Sequence, residues 1–245
     1  NAFLLNVLNA GEVAATAGTS GVIYGIIETP EHDPLSRVNT FVHVNHAKRK
    51  ERYGVLLCLN GTGILNSWLQ KNMAEGATYD DMNEIAMQAP IGADGLSFVP
   101  FGNGAERIME NNDTGARLSG LNFNRHNQSH ILRAGQEGIV FALNYGFNIM
   151  KEMGMEINTI RAGHANMFLS PLFREAFTNI TCATVELYNT DGAQGAARGA
   201  GVGSKVYANH EEAFKGLKSI ETVEPSPALF GAYEDAYENW LKNLN

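Results

Sequence analysis

The sequence is poor in several things that would assign it quickly. It has only two cysteines, Cys58 and Cys182, and no CxxC pair. Both lie in apolar, strand-like runs with no secretory leader ahead of them, so they read as small buried hydrophobes in a reducing compartment. A cytoplasmic protein is the expectation. Positive charge is also scarce, with 18 Lys and Arg against 26 Asp and Glu and a formal net charge of −8. Such a balance cannot supply a broad basic face, which excludes a nucleic-acid partner. The one basic cluster, "AKRKER" at 47–52, sits between strand-like runs and reads as a solvated hairpin loop. No apolar run reaches the roughly 18 residues of a membrane helix. Common fingerprints are missing as well: there is no GxGxxG and no GxxxxGK[ST] for a nucleotide, and no GxSxG for a serine nucleophile.

The histidines fail as metal ligands on spacing. His43 and His46 are three apart on a strand-like run and point to opposite faces. His126 and His130 have helical spacing, but the intervening residues lack the Glu of HExxH, and a capping or surface role is the competing reading. Glu106–Arg107, and Arg133 with Glu137 four residues on, read as ion-paired structure rather than catalysis.

What remains is an α/β pattern. "ATAGTSGVIYGI" (15–26) is an apolar hairpin whose tip carries two glycines and two hydroxyls. An ordinary Gly-rich turn and a cradle for phosphate both satisfy it. Strands follow at "RVNTFVHVNH" and "YGVLLCLN". A helix closed by Gly76 then sets Ile64, Leu65, Trp68, Leu69 and Met73 on one face. A shorter helix is capped by Thr78 and stopped by Pro90. A Gly- and Asn-rich stretch (90–126) holds a brief strand at 97–101. The longest helix, 127–154, carries a face of small residues around Gly135 and Gly138, suited to close packing on another helix.

Next, a strand at 157–162 feeds "GHAN" and a helix with Ser170 as N-cap and Pro171 at its first position. That strand–turn–helix is the place where open sheets bind ligands. Asn166 there offers an amide that both donates and accepts. A strand "CATVELYNT", a Gly/Ala helix "DGAQGAARGAG", a polar helix and a tail helix bearing Tyr233, Tyr237 and Trp240 complete one α/β domain. The residues alone name no catalytic base.

The order of these pieces is more specific than any one of them. "GTSG", "FVPFGNGAER", "QEGIVFAL", "SPLFRE" and "DGAQGAAR" occur in the order and approximate form found in the C-terminal domain of the FGGY family of carbohydrate kinases, and the chain resembles that domain over its whole length, its xylulokinases most. The resemblance implies a ribonuclease-H-like (actin, hexokinase and Hsp70 ATPase type) domain, a mixed sheet with helices on both faces. It implies ATP and Mg2+ as cofactors and a γ-phosphate passed to a ketopentose such as D-xylulose.

By that likeness Gly18 and Thr19 meet the nucleotide's phosphates, and Gly163, Ala165 and Asn166 form the adenosine pocket. The Gly/Ala helix would lie at the hinge between lobes. The general base, an Asp, and the whole N-terminal lobe are expected upstream of Asn1, because the chain opens directly on "NAFLLNVLNAGEV". The partners implied are that lobe and the sugar, neither nucleic acid nor membrane, and the chain alone is expected to be inactive. An exposed cleft face could favour a homodimer.

The departures matter too. "AGHAN" stands for the family's Gly-rich adenosine turn, with His164 in place of a glycine and "MFL" (167–169) as a short insertion before Ser170. Gly135 and Gln136 stand where a family signature prefers apolar residues. Other FGGY acceptors (glycerol, gluconate, ribulose) remain open, as does a kinase-like sensor or scaffold without turnover. A redox dinucleotide domain is disfavoured by the missing glycine fingerprint.

Overall fold

A computed structural model describes residues 1–244. One seven-stranded mixed sheet organises it, formed by β1 (Val13–Ala17), β2 (Gly21–Ile27), β3 (Asn39–Val42), β4 (Tyr53–Leu59), β7 (Thr159–Gly163), β8 (Thr184–Tyr188) and β9 (Ser219–Val223). The spatial order is β3-β4-β2-β1-β7-β8-β9. β1, β2 and β4 run antiparallel, β7 and β8 lie parallel to β1, and β9 closes the edge antiparallel to β8. A ladder of β5 (Ser97–Val99) and β6 (Arg117–Ser119) stands apart.

The helices divide between the two faces. On one lie α2 (Gly63–Met73), α3 (Tyr79–Ala86), α4 (Gln128–Glu152), α5 (Pro171–Thr181) and α8 (Phe230–Lys242). They share the main core with Val13, Ala15 and Ile23, which point to that side of the sheet. Alternation sends Ala14 and Ile26 to the other face, under the short α1 (Ala2–Leu5), α6 (Gly192–Gly203) and α7 (His210–Ala213). This is the two-faced mixed sheet that the resemblance implies.

α4 is buried over most of its length and works as the central spine. Its small residues do permit close approach, but only in part to a helix. A Cβ on Gly135 would run into Leu69 of α2, one on Gly138 into the Phe98 carbonyl of β5, and one on Gly146 into Leu57 of β4. On the opposite face a Cβ on Gly195 would lie 2.9 Å from the Leu4 backbone, so the Gly/Ala helix lets α1 and α6 touch.

The Thr78 and Ser170 caps agree with the sequence, and the structure adds one at Asn127. Thr78 makes a capping box with Asp81, Asn127 one with His130, and Ser170 accepts from Phe173 N with Pro171 at the first helical position. His130 is therefore a capping residue, and His126 precedes the helix and accepts from Asn122 N through Nδ1.

Four expectations need correction. β3 is only four residues long, because "HVNH" turns away through the buried His43. α2 buries Leu65, Asn66 and Leu69, leaving Ile64, Trp68 and Met73 exposed. Cys182 is exposed in the left-handed position that ends α5, and Cys58 is half-buried. Glu106 is no surface ion-pair partner: it is fully buried and accepts from backbone amides, while Arg107 Nη1 donates to the Ser36 carbonyl. The Arg133–Glu137 pair does form, at 2.7 Å and buried on both sides.

Candidate active site

The GTSG tip joins β1 to β2 with Ala17 paired to Gly21. Gly21 is there for space. A Cβ on Gly21 would stand 2.7 Å from Thr62 Oγ1. The tip carbonyls are held: Gly63 N donates to Gly18 O at 3.0 Å and Ile64 N to Thr19 O at 3.3 Å. The first free amides of α2 are thus spent on the hairpin. A Cβ on Gly63 would collide with that same Gly18 carbonyl, so glycine is required for the contact.

Behind this junction lies Glu106. Its two carboxylate oxygens accept from Asn60 N at 3.0 Å and Gly61 N at 2.8 Å. Burial pushes its carboxyl above the usual range, against the pull of the two amides. The carboxylate holds the "NGTG" turn (60–63) from the far side, and a Cβ on Gly61 would strike the Pro100 carbonyl.

The second turn faces the first. A Cβ on Gly18 would lie 3.6 Å from Asn166 Nδ2. Asn166 has φ 55°, a left-handed conformation that asparagine tolerates better than most residues. It opens the one-turn segment Asn166–Leu169, in which Phe168 is buried against Phe173 and Phe177. The short insertion of the sequence is therefore an anchored turn.

Between the two turns opens a cavity of about 470 Å³. Gly18, Thr19 and Asn166 line it. Gly163 and Ala165 do not. Gly163 pairs with Tyr188 of β8, and a Cβ on it would face the Thr190 carbonyl at 3.3 Å. His164 N donates to Tyr188 O at 2.9 Å, and its side chain is exposed.

Sequence reasoning missed the opposite wall, which is built by Gly63, Asn66 and Ser67 of α2 and by Tyr79, Asp80 and Asn83 of α3. A signal was present. "NGTG" follows a strand and opens a helix, the same pattern that drew attention to "GHAN".

The cavity has the size of a cofactor site, with polar groups converging on a partly apolar lining. A phosphate suits the glycine end with the exposed Thr19 hydroxyl, and a flat polar ring suits the asparagine-rich end. Among the described residues no three His, Cys, Asp or Glu side chains gather as a metal site. No helix among them is long and apolar enough to cross a membrane.

Known proteins place this architecture. The xylulose kinase of Bacillus subtilis is 28% identical over 251 residues, covering 98% of this chain and 48% of that protein. The gluconokinase of the same species is 31% identical over 149 residues, 57% of this chain. Among solved structures, a ligand-bound xylulose kinase from Lactobacillus acidophilus superposes with TM-score 0.86 at 20% identity, over 99% of this chain and 48% of that one. The glycerol kinase of Plasmodium falciparum with ADP gives TM-score 0.81 at 22% identity, with the same coverage. The chain spans about half the length of these full-length relatives. Residues 13–203 match the C-terminal domain of the FGGY family of carbohydrate kinases. With the two facing turns, the mixed sheet and this match in hand, the chain belongs to the FGGY family, of which it carries the C-terminal domain.

Proposed function

We propose that this chain is the nucleotide-side lobe of an ATP-dependent sugar kinase that passes the γ-phosphate to a hydroxyl of a ketopentose, D-xylulose. The observation that carries this reading is the meeting of the GTSG tip, the start of α2 and the Asn166 turn around one cavity. Gly18 and Thr19 hold the phosphate end, and Asn166 holds the adenosine. Gly163 and His164 fix that turn to Tyr188 of β8, and Ala165 N ties it back to the Gly163 carbonyl. Bound Mg-ATP supplies the phosphoryl group, with the metal neutralising its charge. This lobe's part is to fix the nucleotide in place and exclude water from one side of it. The general-base Asp and the sugar contacts belong to an upstream lobe that closes over the cavity, with α6 near the hinge. The choice of D-xylulose rests on the xylulose kinases, which match this chain over almost its whole length.

The test is thermal unfolding of the chain with Mg-ADP, Mg-ATP and NAD. A ligand at about a hundred times its dissociation constant adds roughly 2.7 kcal/mol, or about 5–10 °C in a domain of this size. Adenine nucleotides are expected to give the shift and NAD none. Gly18→Val, whose branched side chain fills the gap beside Asn166, is expected to abolish it. An undiminished shift in Gly18→Val would place the nucleotide elsewhere. Joined to its upstream half, the chain is expected to phosphorylate D-xylulose in preference to gluconate or glycerol.

A further inference from the structure

Gln136 is a polar residue in the middle of the buried spine, 1% exposed, at a place where the family signature is apolar. A buried amide is tolerated only when its bonds are made, and the bonds of Gln136 lead to the cavity. Its Nε2 donates to Asn83 Oδ1 at 2.9 Å, and its Oε1 accepts from Ser170 Oγ at 2.7 Å. Asn83 and Ser170 both line the cavity. Ser170 Oγ already accepts from Phe173 N as the cap of α5, at 3.2 Å. Its proton therefore goes to Gln136, and Gln136 must donate onward to Asn83.

This relay fixes which way the Asn83 amide faces. Its carbonyl is used by Gln136, so its NH2 is the end left over, with no acceptor among the described residues. Asn83 is only 7% exposed, and that remaining exposure opens on the cavity. On the same wall Asn66, 8% exposed, keeps a buried carbonyl with no partner. An amide as nearly buried as Asn83, with its NH2 left over toward a cavity, is what a ligand would complete.

We propose that Gln136 is a positioning residue that locks Asn83 as a hydrogen-bond donor to a ring nitrogen of the bound purine. The inference rests on the nucleotide reading above. Charge sets the orientation: the Asp80 carboxylate stands beside Asn83 and repels phosphate, so the uncharged end of the nucleotide lies there. The exposed phenol ring of Tyr79 at the same end offers a flat apolar face suited to a base.

The test is calorimetric titration of the chain with ADP, with tripolyphosphate, and with the three ADP analogues that each replace one ring nitrogen (N1, N3 or N7) by C–H. One analogue is expected to bind about tenfold more weakly than ADP, the effect of one lost hydrogen bond to a fixed donor. Asn83→Leu is expected to erase that penalty. Gln136→Leu, which frees the Asn83 amide to turn, is expected to reduce it while leaving tripolyphosphate affinity unchanged. The wild-type arm decides even where a variant folds poorly. Three analogues that all bind as ADP does would overturn the inference. ADP binding no tighter than tripolyphosphate would overturn it and leave the phosphate end standing. No binding by any of the compounds would overturn both the inference and the nucleotide reading beneath it.

Discussion

Asn166 combines two properties that a substitution can separate, a left-handed backbone at φ 55° and an amide at the cavity. Glycine keeps the first and removes the second. Asn166→Gly is therefore expected to leave Tm within about a degree or two while removing most of the adenine-nucleotide stabilisation. Asn166→Ala keeps the Cβ that Asn166 already carries and loses only the ease with which an asparagine side chain accepts this backbone, so it is expected to cost up to about 1 kcal/mol in the absence of ligand. Equal losses of stability in both variants would mean that the amide, and not the backbone, holds the turn.

A second residue carries a pH dependence. His43 is 2% exposed, its Nδ1 bonds Asn45 Oδ1, and its Nε2 has no partner. Burial pulls its pKa below the ordinary histidine value, and the Asn45 bond opposes it in part. The folded state then binds fewer protons than the unfolded chain below about pH 6.5. His43 thus favours folding above that value and penalises it as the ring is forced to charge. Tm is expected to fall from about pH 7.5 to about pH 5.5, and less steeply in His43→Phe, which cannot titrate. Parallel slopes in the two proteins would remove His43 from the account.

At the scale of elements, the junction of β4 with α2 bears on the cavity most directly. Glu106 reaches across from a distant loop to hold the amides of Asn60 and Gly61, and α2 begins two residues later. Glu106→Gln turns one acceptor into a donor facing an N–H. It is expected to cost about 1–3 kcal/mol in chemical denaturation and to weaken nucleotide binding as the Gly63 wall shifts. An unchanged affinity would show that the wall keeps its place without this support.

The same junction marks the boundary of what the sequence makes legible. The strands of the hairpin, the caps Thr78 and Ser170, and the Tyr233–Tyr237–Trp240 stripe follow from local periodicity and local hydrogen bonds, and all of them stand in the structure. Glu106 does not follow, because its partners are 45 and 46 residues away. Nor does the exposure of Trp68, whose spacing suits a core face that Asn66 in fact shares. β9 escapes for another reason: "SIETV" is mostly exposed and polar on an edge, so no alternating apolar pattern announces it. Gly18, Thr19 and Asn166 could be named from glycine and amide chemistry, and their meeting is a product of the tertiary fold.

At the scale of the molecule, the cavity is one-sided. Among the described residues that line it the only carboxylate is that of Asp80, which belongs to α3 and not to the hairpin. The purified chain is therefore expected to bind nucleotide and to show no ATP-dependent phosphorylation of D-xylulose above the blank. Activity is expected to return when the upstream half of the length of its relatives is supplied. Turnover by the chain alone would require a base among the residues described here and would refute the division of labour proposed for it.

The two bonds that tie the start of α2 to the hairpin tip have a use of their own. The amide protons of Gly63 and Ile64 are held by the carbonyls of Gly18 and Thr19, so they exchange with deuterated solvent only when the tip lifts from the helix. These two amides act as a resident gauge of the clamp. Their exchange rates report how often it opens, without label or substrate and before any sugar has been identified.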